Sequence, residues 1–511
     1  MRLISPFSAR GRLLPVLLPA LLAGCASVPH ETPVLKPLDE AVLGPAPTPT
    51  PAPAAPLAAD WWHALGDPQL DRIMADAFAH SPTLADAEAR IRAARAVLAM
   101  EKGPLAPQIT GSAGTTQERF SAKYIYPAPY GGGWFWDSEA AVSLNWSLDL
   151  AGRQKAMVAA VRAAGDALVL DAAAARVSLG GAVAEAYVNL ARAERQLAIA
   201  REFTASRTAS LEVVRNRRTN QLASDLDVAS AETLLAEARQ AEIRAAGNRA
   251  LMVHALAALA GHGADYYATI GAPTLQLEGA LPVPQLLPAD LLGRRPDILA
   301  ARANVAAARA GVRSAQAAFY PDVNLTAFVG ASALGIGSLF TSQAITAGAG
   351  PALSLPIFEG GALKGKYRAS LAGEDMAIAA YNRAVIGAVK EVADALSQVA
   401  TRAEDAEAQH AITRGLDETL RLDHVRLASG LAGRLDALAA GQRLLSARQA
   451  ETDIIADGLV QRIRLAVALG GGFAPSAATA TASADTPFMR PVSMRSGAPV
   501  QTVAPAHTAA R

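Results

Sequence analysis

The 511-residue sequence predicts a mainly α chain with a β-barrel part, built from duplicated strand-hairpin and long-helix units. Three observations predict it: an internal duplication, two pairs of alternating apolar segments, and two long proline-free runs that carry heptad seams.

The duplication orders the rest. Pro82, Ala87, Ile91, Ala94, Arg95 and Pro107 return as Pro296, Ala301, Val305, Ala308, Arg309 and Pro321 at one constant offset. Later matches follow in the same order: Val183, Ala186, Leu190 and Ala193 with Val389, Val392, Leu396 and Val399, then Leu226-Asp227 with Leu435-Asp436. Ala258-Leu259-Ala260-Gly261 pairs with Ala468-Leu469-Gly470-Gly471.

Each half opens with a short amphipathic helix, expected from Pro68 to Met100 and from Leu286 to Ala318. Pro107 or Pro321 stops it, and alternating sequence follows. Ile109, Gly111, Ala113, Thr115 and then Val142, Leu144, Trp146, Leu148 read as two strands. Val323, Leu325, Ala327, Val329 and then Leu353, Leu355, Ile357 read as two more, with Gly-rich connections at Gly131-Gly132-Gly133 and at Gly335 and Gly337. After each hairpin proline vanishes, between Pro129 and Pro273 and between Pro356 and Pro475. Runs free of the helix breaker imply long uninterrupted helices. Val183, Ala186, Leu190, Ala193, Leu197, Ala200 and Val385, Val389, Val392, Leu396, Val399 step by threes and fours, the spacing of a coiled-coil seam. A helix of about 60 residues spans roughly 90 Å, far more than a bilayer.

Four strands cannot close a barrel, and an open edge in lipid strands unsatisfied backbone groups. Several chains must then share one barrel. The alternative is a soluble sandwich on a helical stalk. Trp134, Phe135, Trp136, Trp146, Tyr124, Tyr126 and Tyr130 surround the first hairpin, as an interfacial aromatic girdle would, or as sandwich core.

The N-terminus reads as an export signal. Arg2, Arg10 and Arg12 precede Leu13, Leu14, Val16, Leu17, Leu18, Leu21 and Leu22. Leu22-Ala23-Gly24-Cys25 resembles a lipobox, in which the cysteine is acylated with palmitate and heads the mature chain. Cys25 is the sole cysteine, so no intrachain disulfide exists. Beyond the signal no membrane-spanning helix is expected. The Pro/Ala-rich stretch 25–60 reads as a PPII-like spacer between anchor and fold, unable to bury a core, and the tail after Gly472 as low-complexity sequence. With 47 basic and 46 acidic residues the net charge is +1, without the basic face of a nucleic-acid binder.

Several motifs now carry a family resemblance. Trp61-Trp62-His63-Ala64-Leu65-Gly66-Asp67-Pro68-Gln69-Leu70-Asp71, Leu291-Leu292-Gly293-Arg294-Arg295-Pro296-Asp297-Ile298, Pro356-Ile357-Phe358-Glu359-Gly360-Gly361 and Leu469-Gly470-Gly471-Gly472 resemble, in order, the NodT-type efflux lipoproteins among the TolC-like outer membrane factors. The resemblance implies a homotrimer with twelve barrel strands and a twelve-helix-type periplasmic coiled-coil tunnel. The chain then divides into a signal peptide (1–24), a spacer (25–60), two efflux repeats (61–262 and 286–473), a linker between them (263–285) and a tail (474–511). Arg218 and Gln221 in the first half, and Leu427 and Gly430 in the second, stand where a Tyr and a Gly are common in the family.

The function implied is passive conduction across the outer membrane. Cargo is delivered by an inner-membrane pump (RND or MFS type) through a periplasmic adaptor, or membrane fusion protein. Asp227 and Asp436, with Leu435 beside the latter, are the candidate periplasmic gate. Their other reading is as helix-start charges favoured by the dipole. Arg217, Arg218 and Arg434 are candidate partners for them, and Arg215, Arg217 and Arg218 a candidate adaptor face. No catalytic set, metal motif or cofactor site is read: the eight histidines show no close ligand spacing, and neither a P-loop nor a nucleophile elbow occurs. The rival reading is a lipid-anchored coiled-coil adaptor or structural lipoprotein.

Overall fold

The computed structural model describes residues 31–38, 57–279, 281, 294–431 and 434–474, with backbone alone at 434–436 and 438. Cys25, most of the spacer, the second part of the linker and the tail lie outside the described residues.

A short turn at Trp61–Leu65 leads through Gly66 into α1 (Pro68–His80) and α2 (Pro82–Lys102). The single opening helix expected from Pro68 to Met100 is thus two. Pro82 has no N–H to continue α1, and Ser81 takes an extended conformation before it. β1 (Gln108–Arg119), β2 (Trp134–Ser147), α3 (Arg153–Thr219) and α4 (Asp225–Leu259) complete the first half. The second half repeats the order with α5 (Pro296–Ala317), β3 (Asp322–Leu334), β4 (Ile345–Ser354), α6 (Ala362–Ala428) and α7 (Arg434–Ala468). Its hairpin connection holds two short helical turns, Ile336–Leu339 and Ser342–Ala344, where a plain Gly-rich link was expected. For the second opening helix, residues 286–293 lie outside the described residues.

The four strands form one antiparallel sheet in the order β1-β2-β3-β4, and β2 pairs with β3 to join the two halves. Registered neighbours share a face, because side chains alternate along a strand. One face carries Ile109, Leu144, Ala327 and Ala349 in one row and Gly111, Val142, Val329 and Ala347 in the next. The opposite face carries Gln108, Asn145, Thr326 and Gly350, then Gly114, Glu139 and Ser332. β1 and β4 are the free edges of the sheet.

α3 and α6 are 67 residues each, about 100 Å at 1.5 Å per residue. They pair with the 35-residue α4 and α7. Most of the heptad seam of α3 is buried: Val183, Leu190, Ala193, Leu197 and Ala200 are all under 5% exposed, and Ala186 is part-buried. α3 also contains a stretch apolar enough to cross a membrane by composition, at mean hydropathy 1.5, against the expectation of none. Alanines and valines raise the hydropathy there, and the helix packs on α1, α2, α4 and α5.

Within the spacer, residues 31–38 lie along α6, a contact that its composition does not announce. Arg368 pairs with Glu31 at 2.7 Å, and Tyr367 donates its hydroxyl to the Glu31 carbonyl. The Leu35 and Leu38 N–H groups donate to Asp375 and Asn382, each at 2.8 Å. Arg368, Asp375 and Asn382 recur every seven residues on one helix face, so an extended segment can meet them in turn.

Duplicate elements differ in burial. α5 sits between α6 of its own half and α3 of the other, and buries Ile298, Leu299, Val305 and five further residues of its length besides Pro296. α2, its counterpart, packs along α3 alone among the long helices in close contact with it, and buries no residue. Val97 and Met100 on α2 and Met376 and Ile386 on α6 remain exposed.

Candidate functional site

The sheet has the chemistry of a wall between lipid and water. Its apolar face runs from Trp134 and Trp136 at one end of β2 to Trp146 at the other. Ten residues at about 3.3 Å, tilted by about 40°, give an apolar band about 25 Å tall, the height of an outer-membrane barrel. Polar groups at its margins are satisfied: Thr115 and Ser138 bond each other at 2.9 Å, and Trp146 Nε1 donates to the Leu105 carbonyl. The expected girdle therefore splits. Trp134, Trp136 and Trp146 lie on the apolar face, whereas alternation puts Phe135 on the other, where it stacks with Phe120, itself stacked on Tyr126 in the connecting loop. The polar face carries Glu118, Asp137 and Glu139.

At the far end α3 turns into α4. Gln221 takes a left-handed conformation (φ 61°), as does Gly430 (φ 72°) at the matching turn between α6 and α7. A glycine adopts that conformation without strain, while glutamine does so at a cost. Ser224 caps α4 in a reciprocal box: its hydroxyl accepts from the Asp227 N–H, and Asp227 Oδ2 accepts from the Ser224 N–H at 2.8 Å. The Ser224 N–H and hydroxyl, helped by the charge of Arg217, hold the Asp227 carboxyl below its usual pKa. Leu211, Val214, Ala231 and Leu235 form the small core beneath. Asp227 is exposed, as are Leu222 and Leu226.

Two expectations change here. Arg218 pairs with Asp225, at 2.6 Å, and not with Asp227, because Asp225 opens α4 and faces back across the turn. Arg215 is held by Glu232 and Glu212, so two of the three arginines proposed as a docking face are engaged within the chain. The side chains of Arg434, Leu435 and Asp436 lie outside the described residues, although their backbone begins α7.

Three of the four family-like motifs supply contacts between distant parts of the chain. Asp67 is buried, caps α1 through the Gln69 N–H at 2.9 Å, and accepts from the Tyr187 hydroxyl and from the Thr274 and Leu275 N–H groups at 2.7–3.0 Å. Burial pushes its pKa up, but these donors outweigh burial and leave it below the ordinary value. Buried Arg295 donates to the Ala468 carbonyl and pairs with Asp297 and Glu391. Gly472 sits so close to the chain at residue 58 that a Cβ would lie 2.1 Å from the Ala58 carbonyl oxygen. These residues tie the start, middle and end of the chain at one level.

The sequence matches the family described as outer membrane efflux protein over residues 73–262 and 287–471. The chain belongs to that family. Among similar proteins, the fusaric acid resistance protein FusA of Burkholderia cepacia is 33% identical over 69% of this chain and 68% of its own. Outer membrane protein OprJ of Pseudomonas aeruginosa is 29% identical over 90% of this chain and 95% of its own. The crystal structure of the outer membrane protein VceC of Vibrio cholerae superposes with a TM-score of 0.76 at 30% identity, covering 82% of this chain and all of VceC. The CmeC channel of Campylobacter jejuni, 21% identical, shares the fold with a TM-score of 0.78 over 89% of this chain and 97% of its own. The chain is an outer-membrane efflux channel component of TolC-like fold, in a family of channels and not of enzymes.

Proposed function

We propose that three copies of this chain close one duct: a twelve-stranded barrel continued by a periplasmic helical tunnel. The observation that carries this reading is the unequal burial of duplicate elements. In one chain α5 fills the groove between α6 and α3, while α2 has α3 but no second long helix. Repeating the α5 arrangement around a ring lays α2 against α6 of the next copy and β1 against β4 of the next. Every sheet edge is then paired, as hydrocarbon requires. The repeats 61–262 and 286–473, with 263–285 between them, are the units of that ring.

The anchor belongs to the same reading. Glu31 is fixed beside Tyr367, one turn or so into α6 and thus near the barrel. Cys25 precedes it by six residues, a reach of about 20 Å, enough for an acylated Cys25 to enter the adjacent leaflet. Cys25→Ser is expected to lose fatty-acid label and accumulate unprocessed precursor. Fatty-acid labelling of the variant equal to wild type contradicts the anchor.

Energy comes from an inner-membrane pump of the RND or MFS type, through a periplasmic adaptor whose helices seat on the tunnel. FusA is named for fusaric acid resistance, and relatives such as MdtQ for multidrug resistance. Small organic toxicants are accordingly the proposed cargo.

Asp227 and Asp436, with Leu435, form the proposed gate at the tunnel tip, where three copies of each carboxylate converge. Purified protein in a planar bilayer is expected to show small discrete current steps, which Asp227→Ala with Asp436→Ala enlarges several-fold. Because Asp227 also caps α4, Ser224→Ala is the control: it breaks the same cap, at about 1 kcal/mol, and keeps the charge. Equal conductance in Ser224→Ala and the double variant reduces Asp227 to a capping residue.

A further inference from the structure

Asp76 and His80 at the end of α1 meet His262, which follows α4, although 182 residues separate the two histidines. One ligand atom from each lies within 4.8 Å of the other two. The geometry points to a divalent transition-metal site of zinc type at Asp76, His80 and His262, one per chain.

The approach is built by the backbone. Gly261 ends α4 in a left-handed conformation (φ 78°), and a Cβ there would lie 2.4 Å from the His80 carbonyl oxygen. Only glycine lets the two helix ends touch and brings the imidazoles to a centroid distance of 4.9 Å. Each ligand is also oriented from behind. His80 Nδ1 lies 3.1 Å from the Asp76 carbonyl oxygen. A carbonyl can only accept, so Nδ1 holds the proton and Nε2 presents its lone pair. The Tyr266 hydroxyl donates to Asp76 Oδ2, which leaves Oδ1 for a metal. The His262 ring stacks on Tyr266 at 4.5 Å. Such outer hydrogen bonds fix tautomer and direction in metal sites.

Ligand bonds of about 2.0–2.1 Å put tetrahedral donor atoms about 3.3 Å apart, so side-chain rotations of about an ångström or so would close the site. Two imidazoles and one carboxylate select zinc, cobalt or nickel over magnesium and calcium, and leave a fourth position for water. The duplicate positions hold Arg294 in place of His80 and Gly472 in place of His262, so the second half has no such triad. Metal bound here staples α1 to the end of α4.

The test is a titration of the full-length trimer, purified in detergent without a histidine tag, with zinc against a chelating dye and with cobalt followed by visible absorption. One zinc per chain with micromolar or tighter affinity is expected, with cobalt bands of a nitrogen-containing site. His80→Phe and His262→Phe keep the aromatic stack and should each weaken zinc binding by about tenfold or more, as should Tyr266→Phe, which removes no ligand. Zinc binding unchanged in the His80→Phe/His262→Phe double variant overturns the site. So does an absence of zinc binding by wild-type protein at micromolar zinc, which leaves an aromatic stack only.

Discussion

Val142→Arg is expected to remove the protein from the outer membrane, whereas Ser143→Arg, one residue along, leaves assembly intact. Val142 lies mid-strand on the apolar face, in register with Gly111 and Val329, and is half exposed in the single chain. An arginine at the lipid midplane costs about 2–4 kcal/mol, and the proposed trimer would carry three, so about 6–12 kcal/mol per assembly. Ser143 points the other way, between Thr110 and Phe328 on the polar face. An arginine there meets water. The measurement is the amount of folded oligomer in isolated outer membranes, read on semi-native gels. Equal loss from both variants contradicts the two-faced wall.

Asp67→Ala is expected to give the largest loss of stability among changes outside the barrel. The carboxylate gathers the Gln69, Thr274 and Leu275 N–H groups and the Tyr187 hydroxyl in a buried place. Hydrogen bonds to a charged acceptor contribute about 1.5–3 kcal/mol each, and stranded donors add a desolvation cost, so about 3 kcal/mol or more is at stake. A markedly lower thermal midpoint for the alanine variant, with Asp67→Asn between it and wild type, is the expected order. The pH dependence has a definite sign. The folded pKa lies below the ordinary value, through donors that outweigh burial. The contribution is therefore complete above the unfolded pKa of about 3.9 and is lost as pH falls through the lower folded value. A midpoint unchanged in Asp67→Ala contradicts this account of the motif.

The helices and the first three strands were legible because their signals are local; the fourth was misplaced, since β4 runs Ile345–Ser354 and of Leu353, Leu355 and Ile357 only Leu353 lies in it. Missing prolines, three-four spacing at Val183 to Ala200 and alternation at Ile109 to Thr115 each belong to one element. What escaped depends on contacts distant in sequence. Nothing around Glu31 announces that Arg368, Asp375 and Asn382 will hold its segment. His80 and His262 show no ligand spacing, since a glycine-permitted approach of two helix ends makes them neighbours. Asp67 stood out as part of a motif, but its partners Tyr187 and Thr274 lie more than 100 residues away. At the tip the sequence shows a carboxylate at 227 beside a helix start, while the choice of Arg218 for Asp225 is set by the geometry of the turn. Pro82 lies inside the single helix expected from Pro68 to Met100, and because a helix tolerates proline in its first turn only, that position itself marks the break between α1 and α2.

The closed ring of three is the central claim, and native mass spectrometry of the complex released gently from outer membranes tests it most directly. The account predicts one species of three chains, each carrying lipid, and no stable species of one, two or four. A monodisperse monomer, or a dimer that persists across detergents, would contradict it.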